Sequence, residues 1–440
     1  MLNTFAESDA SNASDLFFHV HVCGIGGIGT SGIALLLSDL GFRVTGSDLR
    51  PSELTQILES RQIAIAYTSD SGLVHGATCL IRPASFPPSH PELEYARNAG
   101  IPVFDRTHAL AEICRRYADR TTLCLGTCAR ALGARLIASA IPDAGWCAGA
   151  ALNDGSLHAK FGKHLIADID ERDLMTDPGL CSLFPNADFV ITDWQHPAFG
   201  YYPNDLDEQT FVRECPAFGT SRIVYPVRQN TRGIDVITSD PALRGQKTTR
   251  FEYLAEKAPK LYCAETAQSI PISDGPGEVT AYADVWQYLR MLAEETGTSY
   301  SIPRPVKCIG WFEDISDSGR RVYDIRMHPV NISAALEALA KRIPEARIRL
   351  AIRPFVSTLR SYSVATWCQA FRMADRVDIV TPPYPGCTSE DCANFAAELQ
   401  EAGIRAECVD AQILSQIPDN GDALLAVGAP DMRETVRQTT

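Results

Sequence analysis

The chain predicts an α/β protein built from three consecutive units, each a largely parallel sheet flanked by helices. Three observations carry this. Apolar, strand-like runs alternate with helical stretches across residues 16–105. A second strand, loop and helix begins at Thr121 with TTLCLGTCARALGARLIASAI. A third alternation starts near Val306, after the proline-containing break Ser301–Pro305. Strands that alternate with helices at this spacing form parallel crossovers.

The first 15 residues, MLNTFAESDASNASD, read as a disordered tail, with no basic start and no apolar core that would make a signal peptide. The first unit spans 16–108. FFHVHVC is its opening strand, a helix follows to about Gly41, and FRVTGSD is the second strand. LTQILESR is helical, AIAY and ATCLIR are strands, ELEYARNAG is a helix and IPVFD closes the unit. Thr107 to Arg120 forms a helical connector. The second unit spans 120–305, with strands HLIADI and ADFVITDW and a helix from Val279 to Thr296. The third, 306–440, holds RVYDI, the helix SAALEALAKRI and the pairs RIRLAIRP/FRMADRVDIVTPPYP and IRAECVD/DALLAVGAP, which complete another sheet.

A formal net charge of −14 argues against a nucleic-acid partner, which needs a basic face. No apolar run approaches the roughly 18 residues of a membrane span. The expected compartment is the cytoplasm. The 14 cysteines show no zinc-type spacing, so free thiols are expected, with Cys124/Cys128 and Cys387/Cys392 as packing pairs.

Gly24, Gly26 and Gly29 satisfy GxGxxG directly after the first strand and before a helix. Such a turn lets backbone approach a diphosphate, and the helix N-terminus supplies N–H donors. Asp48 ends the next strand, nineteen residues after Gly29, where a carboxylate meets a ribose hydroxyl in NAD sites. The motif alone is compatible with a nicotinamide dehydrogenase, and glycines serving only the turn are the plain alternative. The second loop, Gly126-Thr127-Cys128-Ala129-Arg130-Ala131, lies where a phosphate-binding loop belongs. Ala129 stands in the glycine place, Arg130 in the lysine place and Ala131 in the place of the magnesium-binding hydroxyl. Asp168, Asp170, Glu171 and Asp173 follow a strand and suit either magnesium or a solvated acidic loop. His328 sits at a strand end, where packing is the commoner role.

Taken together, GIGGIGTSGIALLLSDLGFRVTGSD and HPELEYARNAGIPVFDRTHALAEI resemble the Mur ligases, especially the branch joining UDP-N-acetylmuramate to L-alanine. The resemblance is strong over 16–118, moderate over 306–440 and weak between. It implies an N-terminal Rossmann-like domain, a central P-loop-like ATPase fold and a C-terminal Rossmann-like domain. It assigns UDP-sugar binding to Gly24, Gly26, Gly27, Gly29, Thr30, Ser31 and Asp48. Asp168 matches the family's magnesium-binding glutamate, and His196 and His328 match histidines of its motifs. Mg and ATP are expected for the family, but the degenerate loop predicts that both are lost. The resulting expectation is a UDP-sugar-binding protein of peptidoglycan precursor metabolism without ligase activity, serving as regulator or scaffold beside other cell-wall synthesis proteins. The alternatives are an active UDP-N-acetylmuramate–amino acid ligase with a divergent ATP site and, third, an NAD-dependent oxidoreductase.

Overall fold

The computed structural model describes residues 18–68, 72–83, 86–126, 130–150, 156–170, 183–184, 187–192, 222–230, 233–240, 245–254, 260–272, 278–301, 308, 312–324, 326–354, 359, 362–381, 387–415, 422–428 and 430–437. The expected tail, Thr127, Cys128, Ala129, Glu171, Asp173 and His196 lie outside these residues.

Three sheets follow one another along the chain. The first has five parallel strands, β1 (His19–Cys23), β2 (Arg43–Ser47), β3 (Ala64–Ala66), β4 (Cys79–Arg82) and β5 (Val103–Asp105), in the order β3-β2-β1-β4-β5. The order reverses beside β1, and a crevice at such a switch point is where open α/β sheets bind ligands. Helices α1 (Ile28–Asp39), α2 (Glu53–Ser60), α3 (Pro91–Asn98) and α4 (Arg106–Tyr117) make the crossovers and the exit. Every residue of β1 is buried, as expected for a central parallel strand covered on both faces.

The second sheet centres on β6 (Arg120–Gly126), flanked in parallel by β9 (His164–Asp170) and β10 (Ala187–Thr192). Beyond β10 the sheet continues through β11 (Arg222–Asn230) into an antiparallel ribbon ending at Pro271. The alternation of segments does not announce that ribbon. On the other side β9 pairs with β7 (Gly145–Cys147), which forms a hairpin with β8 (Ala159–Lys160). Helices α5 (Arg130–Ala140) and α6 (Glu278–Thr296) pack together in its core. In the third sheet, strands Arg321–Asp324, Ala423–Val427, Ile348–Ile352, Arg376–Thr381 and Ala406–Asp410 pair in parallel in that spatial order. A short antiparallel edge at Glu313–Asp314 completes it.

Helix α1 is unusual for a crossover helix, because Thr30 to Leu37 are buried on every side. A helix apolar all round needs partners all round. Here the first sheet covers one side and the β7–β8 hairpin the other. A Cβ at Gly32 would stand 3.0 Å from Cys147 Sγ. Val20 and Val22 of the first sheet belong to the same apolar cluster as Leu165, Ala167 and Ile169 of the second. Replacing the fully buried Leu35 with alanine is expected to cost about 2–5 kcal/mol, measured by urea unfolding.

Candidate functional site

The site candidate with the most complete geometry is the turn between β1 and α1. Gly24 has a φ of +59°, a left-handed conformation that a side chain strains. Its carbonyl accepts the Gly27 N–H at 3.0 Å. The Thr30 hydroxyl donates to the same carbonyl at 2.5 Å, locking the turn from within. Helix α1 then starts with no side-chain cap and no acidic residue in its first turn. Leading N–H groups and a positive dipole end left without a side-chain cap suit an anion.

Asp48 braces the turn. Its Oδ2 accepts the Gly26 N–H at 2.8 Å and its Oδ1 accepts the Leu49 N–H at 2.7 Å. A Cβ on Gly26 would fall 2.8 Å from that Oδ2 and 2.9 Å from Thr55 Cγ2, so only glycine fits. Over Gly29 lies the Arg106 side chain, its Cδ only 2.6 Å from where a Cβ would stand. A guanidinium beside an open helix N-terminus is a good partner for a diphosphate. Sequence reasoning missed Arg106, because a single arginine in a connector helix carries no signal.

The structure brings Gly24, Gly26, Gly27, Gly29 and Asp48 together and turns two other candidates inward. Thr30 spends its hydroxyl on the turn. Ser31 is fully buried, its Oγ 2.8 Å from His158 Nε2 on the strand-entry loop of the second sheet. Burial, with the Arg135 charge second, lowers the His158 imidazole to about 4. His158 is therefore neutral when folded near pH 7, and Ser31 joins two sheets without facing solvent.

That contact has a pH signature. The folded pKa lies below the ordinary histidine value of about 6.5, so the unfolded chain binds more protons between those values. The stabilisation is fully present above about pH 6.5 and is lost as pH falls toward 4. Thermal melts from pH 7 to 4 should show a falling Tm, with a shallower fall in His158→Gln.

In the second sheet, Gly126 ends β6 and α5 begins at Arg130. Ala131 is 3% exposed, and its methyl belongs to the apolar cluster that includes Leu132, Val285 and Leu289. Asp168 pairs across from Cys124 on β6. It is 1% exposed, and its Oδ2 accepts the Gly149 N–H at 2.8 Å. His328 is buried, with its ring edge-on to Tyr362 at 5.0 Å, just ahead of the helix Pro329–Arg342. The Cys387 and Cys392 sulfurs lie 3.9 Å apart as buried free thiols, and burial pushes Cys392 up to about 12.

A five-stranded sheet of order β3-β2-β1-β4-β5, a glycine turn at its switch point and two further sheets define a three-part α/β protein. Residues 19–118 match the Mur ligase family, catalytic domain. Relatives that align end to end are UDP-N-acetylmuramate–L-alanine ligases. The one from Nitratidesulfovibrio vulgaris (strain DP4) is 26% identical, covering 93% of this chain and 95% of that protein. The Sorangium cellulosum enzyme is 28% identical, with 95% of each chain covered. Among solved structures, the UDP-N-acetylmuramate–alanine ligase of Thermotoga maritima superposes with a TM-score of 0.62 at 14% identity, covering 96% of this chain and 98% of that one. A murein peptide ligase from Psychrobacter arcticus superposes with 0.63 at 14% identity, with the same coverage. At this identity the superpositions establish the three-domain α/β fold. Among the described residues, no helix is long and apolar enough to cross a membrane.

Proposed function

We propose that the protein binds UDP-N-acetylmuramate, or a related UDP-sugar, on the Gly24–Gly29 turn and does not ligate it to an amino acid with ATP. The reading divides the chain into a sugar-nucleotide domain at 16–108, a central domain at 120–305 and a C-terminal domain at 306–440. The observation that carries the binding half is the uncapped N-terminus of α1 beneath the Arg106 side chain. The full-length relatives bear the name of the sugar nucleotide in question. The protein would then act in peptidoglycan precursor metabolism as a regulator or scaffold.

The chemistry half rests on donor atoms. A P-loop magnesium needs a hydroxyl oxygen at the start of the helix and carboxylates that reach the metal. Ala131 offers a methyl group already committed to the core, and Asp168 faces the Gly149 amide. Neither described position supplies the donor that Mg·ATP needs, which supports the loss of ATP chemistry. An active ligase with a divergent ATP site is the second reading. It is favoured by alignment with complete ligases over more than nine-tenths of both chains.

A thermal-shift comparison of UDP-N-acetylmuramate, Mg·ATP and NAD separates these readings. A ligand at 100 times its Kd stabilises the folded state by about 2.7 kcal/mol. Stabilisation by the sugar nucleotide alone is expected. Stabilisation by Mg·ATP would support the second reading, and by NAD alone an oxidoreductase.

A further inference from the structure

On the face of the first sheet turned toward α3 lies a polar network unrelated to the sugar-nucleotide assignment. It runs through His19, Thr45, His21, Glu92, Ser47 and Cys23, each 3% exposed or less. The Gly76 carbonyl can only accept, so His19 Nδ1, 3.0 Å away, carries a proton. The Thr45 hydroxyl has one proton for three neighbours: His19 Nε2 at 3.0 Å, His21 Nδ1 at 2.9 Å and the Leu73 carbonyl, which can only accept, at 3.4 Å. With that proton on Leu73 or His19, Thr45 Oγ1 accepts from His21 Nδ1. A neutral His21 is left with a lone pair on Nε2, pointing at Glu92 Oε1 at 3.3 Å. Two lone pairs cannot face each other in a dry interior, so a positive charge belongs between them. It is a proton or a metal ion.

A third donor lies beside them, the Cys23 thiol, which hydrogen-bonds Glu92 when no ion is bound. Cys23 Sγ, His21 Nε2 and a Glu92 oxygen all lie within 4.8 Å of one another. We propose that His21, Cys23 and Glu92 hold a buried divalent cation of the zinc class at the C-terminal end of β1.

The donor set of imidazole nitrogen, thiolate and carboxylate suits zinc. The Thr45 bond to Nδ1 fixes the His21 tautomer with Nε2 toward the ion, the outer-shell contact that metal-bound histidines require. Ser47 donates to the other Glu92 oxygen at 2.6 Å and fixes the carboxylate. At the rim, His90 Nδ1 stands 4.0 Å from that oxygen, is buried and makes no hydrogen bond. Without the ion, burial and the Glu92 charge push the Cys23 thiol up and keep it protonated. Binding replaces the S–H bond with a sulfur–metal bond and releases that proton to solvent, together with the one between His21 and Glu92. Since the three ligands are 1% exposed or less, the ion enters as the chain folds and resists chelators afterwards.

The test uses full-length protein without a histidine tag. Expressed with zinc, it should contain about one zinc per chain by elemental analysis, retained through EDTA dialysis. Expressed with cobalt, it should show a thiolate-to-cobalt charge-transfer band. Cys23→Ser should lose both the zinc and the band. Thr45→Val should keep the ligands but weaken retention about 10–100-fold. Folded wild-type protein without metal, its His21 ring protonated on both nitrogens by nitrogen-15 NMR, would show a buried imidazolium–carboxylate pair and overturn the site. Zinc retained by a folded Cys23→Ser would overturn it too. The wild-type measurements decide the matter even if the variants do not fold.

Discussion

Gly26→Val is expected to abolish measurable UDP-N-acetylmuramate binding, raising Kd by at least about 100-fold, or roughly 2.7 kcal/mol. The reason is crowding at a point where backbone must pass. The first added carbon would overlap the Asp48 carboxylate at 2.8 Å and the Thr55 methyl at 2.9 Å. Asp48 cannot retreat without surrendering the Gly26 and Leu49 amides it accepts. The turn must open instead, which misaims the N–H groups at the start of α1. Calorimetry with the sugar nucleotide measures the loss, and circular dichroism checks that the variant is folded. Arg106→Ala provides an independent arm, removing a cation and leaving the turn intact. It should weaken binding about tenfold, in line with a charge-assisted contact worth about 1.5–3 kcal/mol. Unchanged affinity in both variants would move the ligand away from this turn.

The second large effect is an absence of turnover. With UDP-N-acetylmuramate, L-alanine, ATP and magnesium, the protein is expected to form no amino-acid-dependent ADP. Metal, loop and phosphate contacts act as one unit, so losing several members costs about as much as losing the whole, on the order of 10⁴-fold or more. Coupled ADP detection sets the bound, and amino-acid-dependent ADP formation by the unaltered chain would restore the ligase reading. Ala131→Thr should not rescue activity. It places a hydroxyl in the cluster that packs Leu132, Val285 and Leu289, at a stability cost of about 1–3 kcal/mol.

The parts of this protein legible in its sequence are those whose physics is local. The strand, glycine turn and helix at Cys23–Ile28 are written in consecutive residues, and the helix expected to reach Gly41 ends at Asp39. The α/β class follows from alternation in the same way, and three-domain relatives of known structure share it. Other roles depend on neighbours far along the chain. The resemblance assigns Ser31 to the sugar-nucleotide site, but the partner of its hydroxyl, His158, is 127 residues away. Glu92 meets His21 across 71 residues, a separation at which no ligand spacing can be recognised. The antiparallel ribbon beyond β11 escaped for a related reason. Its strands carry the same apolar alternation whether their neighbour runs parallel or antiparallel.

The complete burial of α1 also limits how this protein can be divided. Thr30 to Leu37 are covered from both sides, so a fragment ending near residue 118 would lay bare the flank that now meets Cys147 and Ala159. An exposed apolar flank of that size invites self-association. The first unit therefore cannot be transplanted alone onto another protein, and shuffling of its gene segment would be tolerated only together with the β7–β8 hairpin.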